Sequence, residues 1–206
     1  VSGLIYAKHF LRSNPGKRAA VVAVESPTAT FQLNDFSMAN MVSAAIFGDG
    51  AACALLSSEE DAIGPEIVGE QMYHFTDATH LMGFDLTNAG LKMILDPEVP
   101  QMISTNIPEI VHTFLKSCRT QIEDVDYLIF HPDGRKIVET VEDLFGKLCK
   151  NIDETRDVLM NFGNMSSVTV LYVLEQFLKR PYESGKQGLI LSFGPGFSAQ
   201  RVLLKW

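Results

Sequence analysis

The sequence predicts an α/β fold, and three observations carry the prediction. Continuous apolar runs of strand length recur along the chain, stretches with one apolar helical stripe lie between them, and Gly-containing turns punctuate the joints. Leu4, Ile5, Ala7, Lys8 and Leu11 follow a helical period that SNPG (Ser13 to Gly16) stops. AAVVAVES (Ala19 to Ser26) then reads as a strand covered on both faces, since it offers no polar alternation. A second helix is predicted over Phe36 to Phe47. GDG (Gly48 to Gly50) turns the chain into another buried strand, AACALLSS. Between Glu59 and Pro100 the pattern weakens to short strands near Ile67 and Leu86.

From Gln101 the periodicity returns. Ile107, Ile110, Val111, Phe114, Leu115 and Cys118 line one helical face. DYLIFH (Asp126 to His131) reads as a strand, and Ile137, Val141, Leu144, Phe145 and Leu148 mark a further amphipathic helix. A short helix over Thr155 to Met160 precedes FGN, and a long one runs from Met165 to about Lys179. Strand GLILSF, turn GPG and strand FSAQRVLLKW close the chain. HFLRSNPGKRAAVVAV and QFLKRPYESGKQGLILSF share an order of helix end, basic residue, Gly-Lys loop and buried strand, which suggests an internal duplication.

Composition narrows the function. The chain has 206 residues, 46% hydrophobic and 20% charged, ordinary for a globular protein. A net charge of −8 argues against a nucleic-acid binder, which would carry a basic face. Cys53, Cys118 and Cys149 are scattered in apolar contexts and read as reduced core thiols, in keeping with a cytoplasmic protein. No apolar run is long enough to span a bilayer, so no membrane partner is expected. The first residue is Val1 and the opening reads like the inside of a helix, as expected of part of a longer protein.

Two residues stand out chemically. His131 ends an apolar strand and precedes a turn, the edge of an α/β sheet where ligands gather. There it can donate to a developing negative charge, act as acid or base, or simply satisfy a strand end. Asn164 sits between Gly163 and MSS. It suits a helix N-cap, or a neutral donor in an oxyanion hole. Gly163 and Gly194 permit close backbone approach. GDG and GPG match no dinucleotide or phosphate-loop spacing. His74, Asp77 and His80 fit no metal-ligand spacing, so no metal is expected. Ser166 and Ser167 lack a nucleophile elbow and read as small packing residues.

Four segments, in order, resemble the type III polyketide synthases of the chalcone and stilbene synthase group: SAAIFGDGAACALL, LIFHPDGRKIVETVE, TRDVLMNFGNMSSVTVLYVLE and LSFGPGFSAQRVLL. GNMSS is the most specific part, and the resemblance is weakest between Glu59 and Pro100. It implies a thiolase-like fold of two αβ halves. Residues 1–58 would finish the first half and 59–206 would form the second. It also implies a homodimer that uses acyl-CoA and malonyl-CoA as substrates, with no separate cofactor, and a Cys-His-Asn triad. By the motif, His131 and Asn164 take the histidine and asparagine roles. Phe31 and Met93 are implied at gatekeeper positions, and Gly134, Ser166, Gly194 and Pro195 at the substrate cavity.

The sequence departs from the family pattern in places. The cysteine of the triad would fall just before Val1, so the 206 residues are expected to be inactive alone. The family's HPGG is His131-Pro132-Asp133-Gly134 here, which sets a carboxylate beside the histidine. Facing the ligand it would repel CoA phosphates; facing solvent it would change little. Arg135 and Lys136 can assist those phosphates or form a solvated pair at a helix start. A ketoacyl-ACP synthase III, or a degenerate thiolase-fold scaffold that only binds a partner or CoA-like ligand, are the rival readings.

Overall fold

The structure is a computed structural model and describes residues 1–146 and 152–206. Its centre is a four-stranded sheet in the order β3 (Glu66–His74), β8 (Ser198–Lys205), β7 (Gln187–Gly194), β6 (Tyr127–Phe130). β6 and β7 run parallel, and β8 is antiparallel to both of its neighbours. β7 and β8 are buried along nearly their whole length, because helices cover both faces.

On one face lie α3 (Val99–Ser117) and α4 (Arg135–Phe145). Ile103, Ile107, Val111, Phe114 and Leu115 of α3 and Ile137, Val138 and Val141 of α4 pack there against Leu128, Phe130, Leu189 and Leu191. Of the helical stripes read from the sequence, Ile107, Ile110, Val111, Phe114, Leu115, Ile137, Val141 and Phe145 are buried, and Cys118 and Leu144 partly so. On the other face lie α1 (Ser2–Ser13) and α6 (Thr169–Leu178). Leu4 and Ile5 join Val170, Val173 and Phe177 against Ile129, Ile190 and Val202. α5 (Asp153–Phe162) is longer than the expected short helix, and Thr155 Oγ1 donates to Phe130 O at 2.9 Å, tying it to the end of β6.

Beyond α1 and α6 lies a second sheet, β1 (Arg18–Glu25) paired antiparallel with β2 (Gly50–Ser57). Val21, Ala23, Ala52, Ala54 and Leu56 face inward and pack on the helix layer. A helix, a strand and an antiparallel partner strand occur twice, as α1, β1 and β2, with a 3-10 turn and a helix between the strands, and as α6, β7 and β8. These are the two stretches whose sequences run alike.

Several expectations are corrected. Within the described residues β1 and β2 are covered on one face only: Val22, Val24 and Leu55 point outward and are exposed. Cys53 lies on the same outer face of β2 and is likewise exposed there. Cys118 is half-buried beside Gly69, and burial pushes its thiol pKa up. Cys149 and Leu148 lie outside the described residues. The expected helix from Met165 begins as a 3-10 turn, Ser166–Val168, and becomes α-helical at Thr169. A β4–β5 hairpin (Met82–Thr87, Gly90–Leu95) adds a strand that the sequence reading missed. Its GLKMIL is interrupted by Lys92, which pairs with Asp35 at 3.0 Å. α2 (Met38–Ile46) matches the expected second helix, with the Ser37 side chain capping Asn40 N.

Arg201 is a charge inside this core. It is 1% exposed, its Nη1 donates to Ile110 O at 2.9 Å, and its guanidinium lies 5.5 Å from the Phe114 ring. Nε and Nη2 have no hydrogen-bond partner among the described residues. Burial holds its pKa down to about 10. Arg201→Met should therefore leave stability unchanged or raise it by ~1–3 kcal/mol, as replaced buried charges often do, measured by chemical denaturation near neutral pH. Above pH 10 the unfolded chain, with an ordinary arginine, holds the extra proton. The native protein should then gain stability with rising pH and close the gap to the variant.

Candidate functional site

The site begins with two glycines. Asn164 N donates to Ile46 O at 2.7 Å and Gly48 N donates to Asn164 O at 3.0 Å, so FGN and FGDG lie side by side. A Cβ on Gly48 would sit 2.2 Å from Phe162 O, and one on Gly163 2.6 Å from Ile46 O. Gly163 also has φ +72°, a conformation that side chains rarely adopt. Only glycine lets these backbones meet, and their meeting fixes Asn164.

The asparagine does two things at once. Oδ1 accepts from Ser166 N at 2.8 Å, holding the turn that starts α6, while Nδ2 donates to Asp133 O at 3.1 Å. Asn164 is not the helix N-cap read from the sequence, since the 3-10 turn is capped at Met165 and α6 begins only at Thr169; its Oδ1 holds the turn ahead of both while its Nδ2 reaches Asp133. Ser166 follows with φ +53°.

His131 leaves the end of β6, anchored by its N–H to Leu191 O at 3.0 Å. Its Nε2 lies 3.1 Å from Asp133 Oδ1, and the two side chains are 8% and 9% exposed. Asp133 therefore faces the histidine, not solvent. Its other oxygen, Oδ2, is buried without a partner among the described residues.

His131, Asp133 and Asn164 open onto a cavity of about 570 Å³. It lies beyond the carboxyl ends of the parallel strands β6 and β7, where α/β sheets collect ligands. Val1, Ser2 and Gly3 of the first turn of α1 form one wall, and Met82, Phe84, Leu91 and Met93 of the hairpin another. Of the residues implied at the site, His131, Asn164, Met93, Ser166, Gly194 and Pro195 line this cavity. Phe31 does not: it follows the 3-10 turn Pro27–Thr30 and is 46% exposed. Gly134 is next to Asp133 but off the lining, as N-cap of α4. Arg135 points away and pairs with Glu139 at 2.8 Å.

Among the lining residues that the sequence does not single out, three form one chain. Ser192 Oγ donates to Gln200 Oε1 at 3.1 Å, and Gln200 Nε2 donates to Ser198 Oγ at 2.8 Å, a buried chain across β7 and β8. The signal was present: Ser198 and Gln200 alternate within an apolar closing strand, and polar side chains so placed must find partners. Ser167 is not merely a packing residue either, since its Oγ donates to Glu25 Oε1 at 2.6 Å on the cavity wall. Among the described residues, no three His, Cys, Asp or Glu side chains are grouped as a metal site would need. No helix among them is long and apolar enough to cross a membrane.

Two stacked αβ units around a shared helix layer, with His131 and Asn164 meeting at one cavity, define a thiolase-like protein. The same fold is seen in the solved 1,3,6,8-tetrahydroxynaphthalene synthase of Streptomyces coelicolor A3(2), a bacterial type III polyketide synthase. That structure superposes with TM-score 0.91 at 24% identity over 100% of this chain and 59% of its own. Residues 68–206 match the model of the chalcone and stilbene synthases' C-terminal domain, and the chain belongs to that family. Residues 1–74 match the model of 3-oxoacyl-[acyl-carrier-protein] synthase III. The chain is 29% identical over 213 residues to a putative chalcone synthase of Bacillus subtilis (strain 168), covering all of this chain and 58% of the relative. It is 31% identical over 210 residues to a 1,3,6,8-tetrahydroxynaphthalene synthase of Streptomyces peucetius subsp. caesius, covering 55% of that protein. It thus spans a little over half the length of these relatives.

Proposed function

We propose that the chain is the carboxyl-terminal part of a type III polyketide synthase, an acyltransferase that condenses malonyl-CoA decarboxylatively with an acyl-CoA starter. The observation that carries the reading is that His131 Nε2 and Asn164 Nδ2 both reach Asp133 at the cavity wall, the first its Oδ1 and the second its main-chain carbonyl. Two donors that close together at one cavity suit a thioester oxygen as it gains charge.

In this reading a cysteine thiolate outside these 206 residues attacks the starter thioester, forms the acyl-cysteine thioester and expels CoA as its thiolate, which takes a proton from water. Malonyl-CoA then loses CO2, and its two-carbon enolate holds its negative oxygen between His131 and Asn164. The enolate carbon attacks the cysteine-bound acyl group, the new carbon–carbon bond forms, and the cysteine leaves as thiolate. Val1 to Gly3 line the cavity, so a cysteine joined directly ahead of Val1 would enter at the same wall. The start of α1 would favour its thiolate form through the helix dipole. The substrates are CoA thioesters, no separate cofactor is used, and the whole protein is a homodimer in the cytoplasm.

The match of residues 1–74 favours a second reading, the same condensation with substrates on an acyl carrier protein. One assay separates the two. The whole protein should release CO2 and free CoA from malonyl-CoA with an acyl-CoA starter, and His131→Ala should not. Turnover only with carrier-protein thioesters would select the second reading. No turnover with either would leave a scaffold that binds and does not react.

A further inference from the structure

Asp133 engages both donors that the proposed reaction needs. Its Oδ1 lies 3.1 Å from His131 Nε2, its carbonyl accepts from Asn164 Nδ2 at 3.1 Å, and its own N–H donates to His131 O at 3.1 Å. The turn after β6 thus folds back on the histidine. An amide nitrogen carries two hydrogens, so Asn164 keeps one for a ligand; Nε2 of a histidine carries one at most. Given to a carboxylate, that hydrogen is withheld from a thioester oxygen, which is the weaker acceptor of the two.

The remaining carboxylate oxygen is not tied down. Oδ2 is buried and without a partner among the described residues, in a residue that lines the cavity. Among the described residues the lining contains a second carboxylate, Glu25, and no Lys or Arg side chain to pair with Asp133 or with an incoming malonyl carboxylate.

We propose that Asp133 is a positioning residue that gates the donor pair: its carboxylate holds His131 Nε2 in the resting site and must swing off before a thioester oxygen can sit between His131 and Asn164. The proposal rests on the roles given above to those two residues. Removing the side chain frees the donor and removes a negative charge from the path of malonyl-CoA. In the whole protein, Asp133→Gly should therefore raise kcat for malonyl-CoA decarboxylation roughly tenfold, the factor a charged hydrogen bond carries, and should lower KM. Asp133→Asn keeps the size and an acceptor oxygen without the charge, and should fall between the two.

The test pairs this assay with 1H–15N spectra of the histidine-labelled whole protein. The Nε2–H of His131 should resonate far downfield in the native protein, move strongly upfield in Asp133→Gly and move partway in Asp133→Asn. An unmoved resonance in both variants would overturn the contact. A moved resonance with an unchanged or lower decarboxylation rate, while His131→Ala is inactive, would overturn the gate and leave the functional reading standing. If His131→Ala decarboxylates at the native rate, the functional reading itself fails and the gate falls with it.

Discussion

In the whole protein, Asn164→Ala should slow malonyl-CoA decarboxylation by about 10² to 10³-fold, the usual cost of losing one oxyanion-hole donor. Transfer of the starter acyl group to the enzyme should change far less. The asymmetry follows from where charge develops: the enolate oxygen exists only after CO2 leaves, and Nδ2 is the group placed to meet it. The amide has a second duty, because Oδ1 accepts from Ser166 N at 2.8 Å and so holds the start of α6. Its loss, together with that of the bond from Nδ2 to Asp133 O, should also cost ~1–2 kcal/mol of stability. Asn164→Asp separates the two duties. It keeps an acceptor for Ser166 and lacks the donor that also holds Asp133 O, so it should keep the turn, lose part of that stability and decarboxylate as poorly as the alanine variant. Recovery of activity by the aspartate would assign the loss to the turn. Rapid-quench measurement of CO2 release and of acyl-enzyme formation, with thermal unfolding alongside, reads all three quantities.

This dual role marks a boundary between what was legible in the sequence and what was not. Helical stripes such as Ile107, Val111, Phe114 and Leu115 are read from spacing alone, because one face of α3 meets one sheet. His131 and Asn164 were legible as candidates since each stands at a turn beside an apolar element. What spacing does not carry is direction and cover. Asp133 was visible as a carboxylate beside the histidine, but whether it faced solvent or ligand depended on a turn that folds its backbone onto His131. Val22 and Val24 sit in a run apolar on both sides, and no local pattern says which side the described residues cover. Phe31 was placed by family resemblance alone; the 3-10 turn before it leaves the ring outside the lining. The Ser192, Gln200 and Ser198 chain was hidden for a different reason: the buried strands that carry it were read for their apolar residues.

The glycines gave the clearest structural information, and Gly163→Ala should have the largest effect on stability. Its φ of +72° with ψ of −168° belongs to a region almost reserved for glycine, where a side chain costs ~1–3 kcal/mol. The new methyl would also lie 2.6 Å from Ile46 O and 3.4 Å from Gly48 N, both backbone atoms that cannot rotate away. The two segments must therefore separate, weakening Asn164 N to Ile46 O and Gly48 N to Asn164 O, at ~1 kcal/mol each. A total loss of about 3–5 kcal/mol is expected, read by chemical denaturation of the whole protein. Gly16→Ala is the control, because Gly16 has φ +71° and nothing within 4 Å of its added Cβ. It carries the backbone cost without the collision, so it should lose only ~1 kcal/mol and keep full activity. Because the collision lies one residue from Asn164, Gly163→Ala should depress decarboxylation as well as stability, under conditions where the variant is still folded. Equal losses of stability in the two alanine variants would mean that backbone strain alone matters and that FGN and FGDG can part without moving the asparagine.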